Sequence, residues 1–271
     1  MDADRNSDAF ENYRDLYVKW PWNLFDFDNL KKDNNGIYIK SKEKKELEKI
    51  WSYNNLKSED KENVLRIGLS GDTDFGMKYG RNDTFFNDEI YRVCKSFFLD
   101  KLEKMNKTFD DTLFDDTLLE MMHSQFNFSL MLMQGGMNRR KGNFRDRFPE
   151  WVYMISVYYT FTEKEEKEEY VKKELLSTTD NISNVNVALS YLDLFGSFKG
   201  YYINTYFFGE ETPEIIELME GENGMIKYGK KRRNNNIRFA DSVKDYCDFA
   251  WRYWEIRNKL IEKKKEESSK S

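Results

Sequence analysis

The chain has a single histidine, His123, among its 271 residues. Zinc sites of the His-x-x-x-His type and multi-histidine metal centres need at least two imidazoles, so the sequence excludes them. His123 lies among Met121, Met122 and Phe126, a setting more typical of a packed helix residue than of a catalytic base. Carboxylate chemistry remains open.

Cysteine and long apolar runs are scarce as well. Cys94 and Cys247 lie far apart and form no Cys-x-x-Cys pair, which favours a protein of the reducing cytoplasm. The N-terminus is acidic and lacks the apolar run of a signal peptide, and no stretch reaches the roughly 20 apolar residues of a membrane helix. We therefore expect a cytoplasmic protein that does not enter a membrane.

Charged and aromatic residues are plentiful. Charged residues make up 34% of the chain, apolar residues 39% and aromatic residues 16%, a balance typical of a soluble helical protein. The net charge of -5 argues against a general nucleic-acid coat, although clustered cations can form a local basic site. No complete catalytic motif is present, so we expect a binding protein without a cofactor rather than an enzyme.

The predicted fold class is mainly α: a single helical domain over residues 1–271 with a small β element near residues 37–40 and 64–69. An N-terminal subregion, 1–107, would pack on a helical region, 108–265, and the tail 266–271 is predicted to be disordered. Caps and apolar periodicity predict helices from Thr108 to the glycines at 135 and 136, from Pro149 through Phe161, over 185–208 with interruptions at Gly196 and Gly200, after Thr212 and Pro213, and over about 240–265.

A first basic segment lies between two glycines and the helix predicted at Pro149. Its cations are Arg139, Arg140, Lys141, Arg145 and Arg147. Arginine forks beside a helix N-terminus suit phosphate, but they equally suit the chain's own carboxylates, for which the acidic run at 110–116 offers partners. The spacing favours a split, in which Arg145 and Arg147 are structural and Arg139, Arg140 and Lys141 bind a ligand.

A second basic segment, "KYGKKRRNNNIR", is predicted to be a loop. It contains Lys227, Lys230, Lys231, Arg232, Arg233 and Arg238 and no acidic residue. Such a run, flanked by Tyr228 and Phe239, suits contacts to an RNA or DNA backbone. The alternative is a solvated mobile loop.

Two further stretches suggest chemistry but lack essential parts. In "GLSGDTDFG", Asp72 and Asp74 could share one face of a strand and hold magnesium, yet the sequence features of phosphate-binding loops and nucleotidyltransferases are missing, and an Asx-rich turn is the alternative. "RNKLIEK", from Arg257, resembles the start of the Arg-Asn-x4-His motif of helical ribonucleases. Glu262 or Lys263 takes the place of the histidine, so nuclease chemistry is not supported.

Three segments in order resemble a family of uncharacterised bacterial proteins classed as a domain of unknown function. They are "MNRRKGNFRDRFPEWVYMISVYY", with its Asn, Asp-Arg-Phe and aromatic-ended helix; "YLDLFGSFKGYYINTYFF", close to the family's Leu-Phe-Gly-x-Phe-x-Gly-Tyr signature; and "YWEIRNKLIEK", similar to a C-terminal Ile-Glu-Ala-Arg-Asn pattern. The resemblance covers the C-terminal half and implies a bacterial or phage-related origin without a reaction type. "GKKRRNNN" is not part of the family pattern.

The leading interpretation is a non-enzymatic protein that binds an anionic partner, most favourably nucleic acid, through the 139–147 segment together with residues 230–233. One alternative is a protein-directed inhibitor or regulator in conflict between phage and host. In that case the acidic run, Asp110, Asp111, Asp115 and Asp116, would imitate nucleic acid. Another alternative is a metal-dependent phosphotransfer enzyme that uses Asp72 and Asp74.

The split within the first basic segment predicts different effects of two arginine substitutions. Removing an arginine that satisfies a buried carboxylate leaves an uncompensated charge and costs about 3 to 5 kcal/mol. We therefore expect Arg147→Ala to lower the melting temperature clearly and Arg140→Ala to leave it unchanged. Melting curves with the reverse order would remove the basis for giving residues 139–141 the ligand-binding role.

Overall fold

The structure is a computed structural model that describes residues 16–19, 21–24, 26, 31–33, 36–39, 49, 54, 67–70, 96, 100–101, 104, 131–134, 148–176, 182–235 and 243–270. Helices dominate these residues, which confirms the mainly α prediction.

Seven α-helices occupy the described part of the C-terminal half. They are α1 (Phe148–Tyr158), α2 (Lys164–Tyr170), α3 (Ile182–Asp193), α4 (Phe198–Tyr206), α5 (Pro213–Glu220), α6 (Met225–Asn235) and α7 (Val243–Ser268). A π-helical segment, Val171–Leu175, continues α2. The predicted cap of α5 is confirmed, because the Thr212 hydroxyl accepts the N–H of Ile215 at 3.3 Å and Pro213 opens the helix.

The last helix is longer than the sequence predicts. α7 ends at Ser268, so it continues into the tail that was expected to be disordered. Ion pairs four residues apart stabilise exposed helix surfaces, and Lys263 Nζ lies 3.9 Å from Glu267 Oε1 in this last stretch.

Four short strands form one antiparallel sheet in the order β1 (Lys31–Asp33), β2 (Gly36–Ile39), β3 (Ile67–Ser70) and β4 (Met131–Gln134). Lys31 pairs with Tyr38 across β1 and β2, and Gly68 pairs with Met133 across β3 and β4. The sequence predicts the stretch that contains β4 to be the end of a helix. A short apolar run in a sequence does not by itself distinguish a helix from a strand. β4 is a strand because its backbone pairs with β3, which is distant in the sequence.

A glycine-dependent turn joins α3 to α4 within the Leu-Phe-Gly-x-Phe-x-Gly-Tyr segment. Gly196 has a φ of 69°, in the left-handed region that disfavours other residues. Ser197 follows as the N-cap of α4, and its Oγ accepts the N–H of Gly200 at 3.0 Å. The structure corrects the interruption predicted at Gly200, which lies inside α4. A Cβ there would overlap the carbonyl oxygen of Phe195, so a glycine lets the first turn of α4 pack onto the preceding turn.

Three distant side chains cap the C-terminal end of α4. The final carbonyls of a helix have no partner within it, and those of residues 204, 205 and 206 instead accept bonds from other segments. Trp22 Nε1 donates to Asn204 at 2.8 Å, Tyr17 Oη donates to Thr205 at 3.1 Å, and Arg257 Nη1 donates to Tyr206. The end of α4 therefore joins the N-terminal segment 16–24 to α7.

The second residue after this end is held in an unusual conformation. Phe208 is buried and has a φ of 56°, and Gly209 follows with a φ of 77°. The Arg257 guanidinium lies 4.5 Å from the centroid of the Phe208 ring and 5.7 Å from that of Tyr253. Only 1% of Arg257 is exposed, and its described contacts include a carbonyl dipole and two aromatic faces, each of which stabilises the buried charge.

An ion cluster at the surface joins the segment after α4 to the N-terminal segment and to α7. Lys19 Nζ lies 2.7 Å from Glu210 Oε1, and Lys264 Nζ lies 3.4 Å from the same oxygen. Lys19 Nζ also donates to the carbonyl of Gly209 at 3.1 Å. The hydrogen bond from Lys19, with smaller contributions from both lysine charges, holds the pKa of Glu210 below its ordinary value. The cluster therefore connects the end of α4 to α7 at the surface, as Arg257 does in the core.

Replacing Arg257 with methionine should destabilise the fold. Methionine keeps much of the side-chain volume but leaves the carbonyl of Tyr206 buried without its donor, at a cost of about 1–3 kcal/mol. The matched control is Arg252→Met on the same helix. Arg252 is partly exposed and pairs with Asp248 at 3.8 Å, so its loss should cost about 0–1 kcal/mol. Urea unfolding that shows the control to be the more damaging change would contradict the capping role.

Glu210→Gln should lower stability in a pH-dependent way. The folded pKa of Glu210 lies below its ordinary value of 4.5, so its ion pairs stabilise the fold above the unfolded pKa and lose that effect as pH falls through the folded pKa. Urea unfolding should show a deficit near neutral pH that disappears toward about pH 3. Glu211→Gln, which removes an exposed pair with Lys199, is the control. A deficit that persists unchanged in acid would be inconsistent with this assignment.

Candidate functional site

The second basic segment belongs to helix α6, so the prediction of a loop is wrong over residues 227–235. Met225, Tyr228 and Gly229 are buried, and this spacing of three and four residues gives the segment an apolar stripe. The Tyr228 ring lies 4.8 Å from that of Phe249 on α7, and Tyr202 Oη lies 3.7 Å from Met225 Sδ. These tertiary contacts stabilise the helical conformation of a strongly charged segment.

The opposite face of α6 carries exposed lysines. Lys227, Lys230 and Lys231 are all exposed. Lys227 Nζ lies 2.7 Å from Glu222 Oε2, whereas Lys230 and Lys231 make no ion pair within the described residues. Arg232 and Arg233 belong to the same helix by their backbone. The five cations of α6 and the lack of any acid between residues 225 and 235 give this helix a strong positive charge.

Several cations on other helices are paired with a carboxylate four residues away. On α7, Arg252 pairs with Asp248, Lys259 with Glu255 and Lys263 with Glu267, at distances of 3.8, 3.5 and 3.9 Å. On the helical segment after Lys164, Lys173 Nζ lies 2.5 Å from Glu169 Oε1. Compared with these surfaces, Lys230 and Lys231 leave positive charge available to an external anion.

Several predicted site residues lie outside the described residues. These are Asp72 and Asp74, the acidic run Asp110, Asp111, Asp115 and Asp116, His123, and the first basic segment with Arg139, Arg140, Lys141, Arg145 and Arg147. Their assignments stay predictions. The described residues contain no group of three or more Asp, Glu, His or Cys side chains arranged to hold a metal ion.

A polar cluster that the sequence did not indicate lies between α1, α2 and α3. Tyr158 Oη donates to Asp193 Oδ1 at 2.8 Å, and Lys167 Nζ lies 3.3 Å from the same oxygen and 5.2 Å from the centroid of the Tyr158 ring. Burial, followed by the charge of Asp193, raises the pKa of Tyr158 far above its ordinary range. The hydroxyl therefore stays protonated, so it donates to the carboxylate and does not act as a base.

A groove between α5 and α7 is lined by charges of both signs. Its volume is about 440 Å³, and its lining residues are Pro213, Glu214, Glu217, Arg252, Glu255, Ile256 and Lys259. Both cations of this set have a carboxylate of their own on α7, as described above. None of the lining residues is buried, so the groove offers no buried polar group for catalysis.

Arg257, which begins the ribonuclease-like stretch, is a structural residue. Its guanidinium is buried against Phe208 and donates to the carbonyl of Tyr206. A side chain with 1% exposure does not contact a substrate in solution, which agrees with the missing histidine. The sequence signal that identifies this role is a cation on the apolar stripe of α7, where Tyr253 and Ile261 are also buried.

Comparisons with known proteins gave no relative. No protein-family model matches the chain, and no match was found among curated proteins or solved structures. Among the helices that the structure describes, none combines the length and apolar character required to cross a membrane.

Proposed function

We propose that the protein binds nucleic acid without a catalytic step, through the cationic face of α6. The observation that carries this proposal is the pair of exposed lysines, Lys230 and Lys231, which no carboxylate neutralises within the described structure. When such cations bind the phosphates of a nucleic acid, they release the counterions condensed on it, and this release favours binding.

The helical setting favours a polyanion over a small anionic metabolite. Lysines at 227, 230 and 231 project from one face of a helix that is fixed to the core by Met225 and Tyr228. A convex helix face presents charges along a line, which suits successive phosphates of a nucleic-acid strand. Small ligands are instead bound in concave, mostly apolar pockets.

We further propose that the first basic segment extends this surface. α6 packs against α1, whose first residue, Phe148, directly follows Arg147. Tyr202 contacts Met225 at the start of α6, and Phe198 lies 6.0 Å from Tyr202 and 6.4 Å from Tyr159, the residue after α1. We infer that α6 runs antiparallel to α1.

In an antiparallel arrangement, the cationic end of α6 lies toward the start of α1. Arg139, Arg140 and Lys141, which are predicted to bind a ligand, would then add charge to one continuous surface. Arg232 and Arg233 lie nearest to that end of α6 along the chain. This arrangement supports a binding surface built from two segments that are distant in sequence.

Binding should weaken when the two lysines are neutralised. Fluorescence anisotropy with labelled single-stranded and duplex oligonucleotides, repeated over a series of salt concentrations, would measure the wild type and Lys230→Gln/Lys231→Gln. The plot of log K against log salt should lose about 0.7–0.9 of its slope for each phosphate contact removed. Both side chains are exposed, so the melting temperature should not change.

The matched control is Lys259→Gln/Lys263→Gln on α7. It makes the same change in net charge but removes lysines that are paired with Glu255 and Glu267. We expect this variant to bind like the wild type. Equal loss in both double variants would indicate a dependence on net charge alone, and unchanged binding by the α6 variant would refute the assigned surface.

A further inference from the structure

The hairpin formed by α5 and α6 separates its charges completely. Between residues 213 and 224 the chain has four acidic residues and no basic one, and between 225 and 235 it has five basic residues and no acidic one. The acidic residues are Glu214, Glu217, Glu220 and Glu222. The remaining helices that contain many charges, α2 and α7, intersperse both signs.

The described charged side chains of the hairpin are exposed, and few of them form ion pairs with each other. Glu214, Glu217 and Glu220 are exposed and make no ion pair in the described parts of the chain. Lys230 and Lys231 share this property, and the one ion pair across the hairpin among its described side chains joins Glu222 to Lys227 at the turn.

The buried faces of the two helices explain this arrangement. Ile215, Leu218 and Met219 anchor α5 in the core, while Met225 and Tyr228 anchor α6. α5 and α6 also pack against one another. The exposed charged side chains of α5 are negative, and those of α6 are positive.

We propose that this hairpin is a self-association surface that binds a second copy of the chain. In a dimer with a two-fold axis, the same patch must be complementary to itself. An axis between α5 and α6 meets this requirement, because it brings the acidic helix of each copy against the basic helix of the other.

The spacing of the charges agrees with such a contact. Glu214, Glu217 and Glu220 recur every third residue, as do Lys227 and Lys230. Each step of three residues advances about 4.5 Å along a helix, so the two rows repeat at the same distance. Two symmetric sets of ion pairs then form between the row of carboxylates and the row of ammonium groups, of which only Lys227 already has a partner, Glu222, within the described residues.

The dimer contact is weak and sensitive to salt, because its charges are exposed. It also uses the lysines assigned above to nucleic acid, so a bound polyanion and a second copy exclude one another. This competition rests on the proposed function, whereas the self-association itself does not.

Sedimentation velocity in the absence of nucleic acid tests the contact. The wild type should form a dimer at low ionic strength and high protein concentration, and should be monomeric in high salt. Two variants reverse one patch each: Glu214→Lys/Glu217→Lys on α5 and Lys230→Glu/Lys231→Glu on α6. Each variant alone should lose the dimer, since both of its helices then carry the same sign.

Mixing the two variants provides the decisive measurement. Each variant keeps the patch that the other now complements, so the mixture should form a heterodimer at low salt although neither variant self-associates. Melting curves of both variants confirm that they are folded. A monomeric wild type at low salt, or a mixture without heterodimer, would overturn the proposal. Neither of those results bears on oligonucleotide binding by the monomer, which is measured separately.

Discussion

The C-terminal end of α4 is the point on which the described fold depends. Its last carbonyls accept hydrogen bonds from Trp22, Tyr17 and Arg257, which come from opposite ends of the chain. Buried carbonyls without a hydrogen-bond donor would destabilise the folded state, so the described fold requires these three donors. The negative end of the helix dipole also explains why a buried cation is tolerated at this position.

Aromatic contacts connect this capped end, through α7, to α6, the proposed binding helix. Tyr206 and Phe207 of the capped end contact Tyr253 on α7, at centroid distances of 6.2 and 5.7 Å. Phe249, one turn earlier on α7, lies against Tyr228 of α6. The exposed lysines of α6 are thus fixed relative to a core built from aromatic rings. A rigid charged face loses less conformational entropy on binding than a mobile loop would.

Local signals in the sequence predicted the parts of the fold whose causes are local. Thr212 and Pro213 identify the start of α5, and Gly196 identifies the turn before α4, because caps and left-handed turns depend on neighbouring residues. The helix at α6 and the burial of Arg257 depend on partners far along the chain. Phe249 lies 21 residues from Tyr228, and Tyr206 lies 51 residues from Arg257. Periodicity alone does not reveal such partners, so the sequence indicated a loop in place of α6 and assigned no structural role to Arg257.

In the candidate site, too, the sequence predicts local features but not contacts between distant residues. Sequence alone identified the cations of 227–233 but not their state of pairing, which depends on which carboxylates the fold brings near them. Lys227 meets Glu222 across a turn, while Lys230 and Lys231, on the same helix, meet none in the described structure. On α7 the register of four residues pairs each of three cations with an acid. Among the described residues, α6 therefore carries a concentration of available positive charge, and the preceding helix α5 is acidic. For an external partner, this local field matters more than the chain's net charge of -5.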